Sequence, residues 1–154
     1  MGCDIHVHYE IFDTDTEEWS EVVRMLHLKH YAYEDSWYTG RNYSLFGLLA
    51  GVRSGIEPIA EPRGLPANVS STVKVKKGEW EHSASYYTLT EIREALRQHY
   101  ISGGTMEEDE SVNAAWSGLD RICTQMFDIS YTVPALERHK EWMDQIRIVF
   151  WFDS

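Results

Sequence analysis

Four groups of residues in this 154-residue chain have types and spacings that can do chemistry. The first lies in the opening stretch Met1-Gly-Cys-Asp-Ile-His-Val-His-Tyr-Glu-Ile-Phe12. Read with period two, Cys3, Ile5, Val7, Tyr9 and Ile11 fall on one side, and Asp4, His6, His8 and Glu10 on the other. Alternate residues of a strand lie about 6 to 7 Å apart. A carboxylate and two imidazoles in such a row can converge on one ligand or one divalent metal. The plainer alternative is a solvated strand face. The second group is His82-Ser83-Ala84-Ser85, just ahead of a helix signalled by Thr88 and Glu91. Hydroxyls and free amides at a helix N-terminus suit an anion, and His82 can move a proton there. Ordinary capping would use the same residues.

The third group is Arg41-Asn42-Tyr43, with Arg53 and Arg63 in neighbouring loops. Arginines at loop ends suit bidentate phosphate contacts. Surface solubility is the competing role, above all for Arg53. The fourth is Arg147, inside the apolar run Ile146-Arg-Ile-Val-Phe-Trp-Phe-Asp153. A charge there needs a partner or a site to face, and Asp4 or Glu10 is the natural partner if the two strands adjoin.

Several elements must position these groups. A strand over 3–11 turns at Asp13–Glu17 and returns over 19–23 as a hairpin. Residues 25–40 read as a loop. A helix capped at Asn42 or Ser44 carries Leu45, Phe46, Leu48, Leu49 and Val52, and ends around Arg53-Ser-Gly55, with Gly55 at C′. The proline-rich segment 57–66 is a stiff loop with Arg63 at its centre. Residues 70–81 are ambiguous between helix and strand, and 81–87 reads as a polar approach to the helix that Thr88 and Glu91 box. After a glycine and acidic loop over 102–109, a helix runs from about Ser111 to Phe127, and another starts at Pro134 and reaches about Met143. The last run reads as a central strand beside the first. The order predicts an α+β fold in one domain over 1–154: a small mixed or antiparallel sheet holding the N- and C-terminal strands, packed by about four helices.

Composition narrows the function. Hydrophobic residues make up 43% of the chain, ordinary for a globular core. A formal net charge of −11 argues against general nucleic-acid binding, which needs a basic footprint. Arginines focused in one pocket can still hold a small phosphorylated ligand. No apolar run is long enough for a membrane span and no secretory leader is visible, so the expected location is the cytoplasm. Cys3 and Cys123 lack CxxC spacing and read as free thiols.

The opening Met-Gly-Cys-Asp-Ile-His, the segment from Arg41 to Arg53, Glu61-Pro-Arg-Gly-Leu-Pro66, His82-Ser-x-Ser-x-x-Thr-Leu and the closing Arg147-Ile-Val-Phe-Trp-Phe-Asp153 resemble a widespread family of small bacteriophage proteins. Residues 13–40 and 101–140 stand outside the resemblance. It implies a phage origin, hence the cytoplasm of the infected host, without supplying a reaction. The matched polar positions are Asp4, His6, Arg41, Asn42, Arg63, His82, Ser85 and Arg147. His8 is not among them, so no tightly bound metal is expected; the apolar stripe of the helix from Ser111 reads as core, and no cofactor is expected. His6 and His82 also lack the HxT or HxS pattern of two-histidine phosphodiesterases.

The expectation is therefore a phage accessory protein that binds and hydrolyses a phosphate-containing nucleotide, a cyclic-nucleotide signal of host antiviral defence being one candidate. His6 and His82 would share one pocket as acid and base, with Asp4 orienting His6. Arg41, Arg63 and Arg147 would hold the phosphate, helped by Asn42, Tyr43, Ser83 and Ser85. Two alternatives stand beside it. One is a sponge that sequesters the nucleotide without turnover, with Tyr43, Trp37 or Tyr86 stacking on the base. The other is an acidic protein-interaction inhibitor of a host nucleic-acid enzyme. Homo-oligomerisation is left open.

Overall fold

The computed structural model describes residues 2–23, 37, 40–102, 109–132 and 141–153. The chain opens with the predicted hairpin, β1 (Ile5–Asp13) against β2 (Glu18–Glu21). Its turn is fixed by the Asp13 carboxylate, which accepts the amide of Asp15 at 2.8 Å. Then follow α1 (Tyr43–Ala50), α2 (Ser71–Lys76), β3 (His82–Thr88), α3 (Leu89–Ile101) and α4 (Glu110–Thr132). A 3-10 turn at Trp142–Gln145 leads into β4 (Ile146–Phe152).

The four strands form one antiparallel sheet in the order β2-β1-β4-β3, and the fold is α+β. The apolar final strand is central, as its sequence predicts: all seven of its residues are buried. It pairs with β1 so that Ile5 faces Phe152, His6 faces Trp151 and Glu10 faces Arg147. The main core lies on the face carrying Cys3, Ile5, Val7, Tyr9 and Ile11. Leu45, Leu49, Ile92, Leu119 and Ile122 from three helices close over it. Each such side chain contributes roughly 1.5 to 3 kcal/mol by leaving water.

The opposite face departs from the sequence reading. It is not a free polar row, since His8 is 2% exposed and Glu10 is fully buried. A second, smaller cluster of Val73, Ala84, Val149 and Trp151 covers it, carried partly by α2. The ambiguous segment 70–81 thus contains a short helix capped by Ser70, too short to show a period.

Residues 82–88 are also a strand, where the sequence suggests only a polar lead-in. Tyr86 and Tyr87 pair with Val149 and Ile148, so tertiary pairing overrides a composition of small polar residues. Helix α1 ends at Ala50, earlier than predicted. Gly51, at φ 70°, takes the left-handed cap in place of Gly55. The capping box of Thr88 and Glu91 forms as read. The predicted helix from Pro134, most of the 25–40 loop and the glycine and acidic loop at 103–108 lie outside the described residues.

Candidate functional site

One end of the sheet, where β1 and β3 begin and β4 finishes, gathers the chemically versatile side chains. His6 points from β1 with a third of its side chain exposed. Its Nε2 lies 2.9 Å from Asp153 Oδ2 and 3.7 Å from Glu81 Oε1. The other Asp153 oxygen accepts the Asp4 amide at 2.9 Å, and the Asp153 amide donates to the Asp4 carbonyl at 3.0 Å. The strand ends are thereby tied together, and the same carboxylate fixes the imidazole. Carboxylates only accept, so in the neutral ring the tautomer that suits Asp153 has its proton on Nε2 and its lone pair on Nδ1.

Asp4 does not orient His6, as its position two residues away suggests it would. It holds Arg41 instead, through Nε at 2.5 Å and Nη2 at 3.1 Å. The Arg41 hydrogen bonds pull the Asp4 carboxyl below its usual value. Those two bonds leave three of the five guanidinium N–H groups for another acceptor. Arg53 joins the same end, its positive charge close enough to the Cys3 thiol to favour the thiolate. Burial nevertheless raises the Cys3 thiol above its ordinary value, so it is not a ready nucleophile. Tyr43 is nearby, its hydroxyl accepting the Cys3 amide at 3.2 Å.

Two non-glycine residues around this end adopt left-handed backbone, Arg53 at φ 62° and Ser83 at φ 55°. Ser83 lies in an irregularity of β3 between His82 and Ser85. Such strain costs on the order of 1 to 3 kcal/mol and gathers where geometry serves a site.

The other predicted residues are dispersed. Opposed residues of an antiparallel pair project to the same face, and consecutive residues to opposite faces. His6 shares the face of Trp151, whose ring it stacks on at 6.2 Å. His82 shares the face of Phe152, with ring centres 6.3 Å apart, and its Nδ1 meets Ser83 Oγ at 2.9 Å. The two histidines therefore do not form one acid–base pair. Nor do His82 and Ser83 sit at the N-terminus of α3, because the length of β3, about 20 Å, separates them from it.

Arg63 and Arg147 each have a carboxylate elsewhere. Arg63 grips Glu91 through both terminal nitrogens, at 3.1 and 2.6 Å, and its amide donates to the buried Ser85 hydroxyl. Arg147 and Glu10 form the buried pair foreseen from strand adjacency, 2.6 Å apart, with Trp19 stacked 3.8 Å from the guanidinium carbon. That pair stands four residues along β1 from His6, about 13 Å away. Asn42 caps α1 and donates to the Ala114 carbonyl, so both ends of its amide serve the fold.

Sequence reasoning missed Asp153 and Glu81 as members of the site, and read Arg53 as more suited to surface solubility than Arg41 or Arg63. Asp153 was within reach: antiparallel pairing of the two terminal strands puts the end of one against the start of the other. Among the described residues no group of three or more His, Cys, Asp or Glu side chains is arranged to hold a metal ion. No described helix is long and apolar enough to cross a membrane. Open grooves of 610 and 430 Å³ lie beside β2 and between α1 and α3, away from His6. Comparison of the chain with family models, with curated proteins and with solved structures finds no match to any of them.

Proposed function

We propose that this is a phage accessory protein that binds a phosphate-containing nucleotide at the sheet end around His6 and hydrolyses it, with a cyclic-nucleotide defence signal as a candidate substrate. The observation that carries the reading is His6, held by Asp153 at 2.9 Å and open to solvent, with the cations Arg41 and Arg53 at the same edge. In the proposed reaction Nδ1 takes a proton from water as its oxygen bonds to phosphorus. The ester P–O bond breaks, and the same proton passes to the leaving oxygen. Arg41 supplies its unused N–H groups to the non-bridging oxygens, where charge builds up. Arg63 and Arg147 take no part in this version, because they lie away from His6, Arg63 against Tyr86 and Glu91 and Arg147 against Glu10 four residues along β1.

One observation favours binding without turnover. His82 projects to the other face, so His6 would have to serve as both base and acid. A panel of linear and cyclic nucleotides, scored for depletion and for new products, separates the two readings. If the site is catalytic, His6→Ala abolishes product and leaves binding largely intact. If it only sequesters, no variant makes product, and Arg41→Ala weakens binding roughly 10- to 100-fold, the scale of a lost charged hydrogen bond. No depletion and no binding across the panel would end both readings.

A further inference from the structure

Trp80 is 91% exposed, the most exposed large apolar side chain among those described. Scattered apolar side chains on a surface are ordinary and need no explanation. The turn that carries Trp80 is tied to His6 through a single carboxylate. Glu81 Oε2 accepts the Gly78 amide at 2.7 Å, closing the turn around residues 79 and 80. Its other oxygen, Oε1, lies 3.7 Å from His6 Nε2. Lys77 Nζ donates to the Glu81 carbonyl at 3.0 Å, which pins the turn from the other side and brings a cation to it.

Consecutive Cα atoms are about 3.8 Å apart, so the Trp80 backbone is on the order of 10 Å from the His6 ring nitrogen. An indole turned back toward His6 shortens that distance to the span from the phosphate of a nucleotide to its base. We propose that Trp80 is the platform on which the base stacks while the phosphate lies at His6 and Arg41. The inference rests on the nucleotide reading above and extends it. The preferred ligand carries a planar base at nucleotide distance from its phosphate. Stacking of this kind tolerates any base, because each has a π-face. Discrimination among bases is therefore weak, whereas discrimination against base-free phosphates is strong.

The test titrates the full chain and its Trp80→Ala, Trp80→Phe and Arg41→Ala variants with AMP, GMP, CMP, UMP and ribose 5-phosphate by calorimetry. Far-UV circular dichroism checks the fold, which an exposed turn residue should not disturb. The expected result is that all four nucleotides bind the wild type. Trp80→Ala weakens them about 5- to 100-fold, to the level of ribose 5-phosphate, whose own binding is unchanged. Trp80→Phe keeps most of the affinity, and Arg41→Ala weakens all five compounds. Nucleotide binding that Trp80→Ala leaves intact and Arg41→Ala weakens overturns the stacking platform while the phosphate site stands. Absence of binding, or binding that Arg41→Ala does not change, overturns both.

Discussion

A methyl group on Gly2 would sit 2.5, 2.7 and 2.9 Å from three atoms of the Arg41 guanidinium. Glycine is thus what lets Arg41 lie flat beside the chain and grip Asp4. In Gly2→Ala the arginine, as the flexible partner, should give way and lose that grip. Both Arg41 and Asp4 are about half exposed, and exposed pairs add little stability. The expected outcome is nucleotide binding reduced toward that of Arg41→Ala, with an unchanged urea midpoint. A lowered midpoint would place Gly2 in the fold and outside the site. Arg147 is the contrasting case. Its pair with Glu10 is buried, and Glu10 also accepts the Ser70 amide at 2.7 Å. Arg147→Ala leaves a carboxylate in the interior without its cation and should cost about 3 to 5 kcal/mol. Replacing both partners by apolar residues, as in Glu10→Leu with Arg147→Met, should recover most of that loss in the same denaturation experiment.

Helix α3 depends on one side chain at its start. The Thr88 hydroxyl accepts the Glu91 amide at 3.2 Å, and Glu91 reaches back to the Thr88 amide at 3.1 Å while also holding Arg63. Thr88→Ala should cost about 1 kcal/mol, read as a lower denaturation midpoint with nucleotide binding unchanged. This element was legible because capping chemistry is local: Thr88 and Glu91 stand three apart in the sequence and in the turn. The β1–β2 hairpin and the apolar β4 were legible for the same reason, and adjacency of the terminal strands then led to the Glu10–Arg147 pair. Strand β3 was not legible. Ser83 and Ser85 carry no strand signal of their own, and pairing with β4 decides their conformation. The burial of His8 and Glu10 was hidden for a related reason: α2, only six residues long, covers their face without leaving a period to read. The site itself was half legible. His6 and Arg41 stood out by type, but the carboxylates that position His6 come from the far end of β4 and from the turn before β3.

At the scale of the molecule, a −11 protein keeps one carboxylate strongly ionised inside. Burial alone would raise the pKa of Glu21, but hydrogen bonds from His8, Lys76 and Thr72 outweigh it and hold the carboxyl at about 2. In the unfolded chain the same group protonates near its ordinary value of 4.5. Its stabilising effect is thus complete above pH 4.5 and disappears as pH falls toward 2. The loss should be on the order of 3 kcal/mol. Wild type and Glu21→Gln, compared by urea denaturation from pH 7 to pH 2.5, should differ most at neutral pH and converge in acid. A constant difference across that range would assign the effect to packing.

The position of β4 also sets the order in which the protein can form. Glu10 and Arg147, which face each other across the sheet, are 137 residues apart in sequence. Both the β1–β2 hairpin and the β3–α3 unit join the sheet through this last strand. The two units cannot be joined during synthesis until residues 146–152 have left the ribosome. Bringing the two ends together costs about 4 kcal/mol of chain entropy before any pairing offsets it. Folding is therefore slow relative to its local elements, and the half-made chain carries two unpaired strand edges that belong against β4.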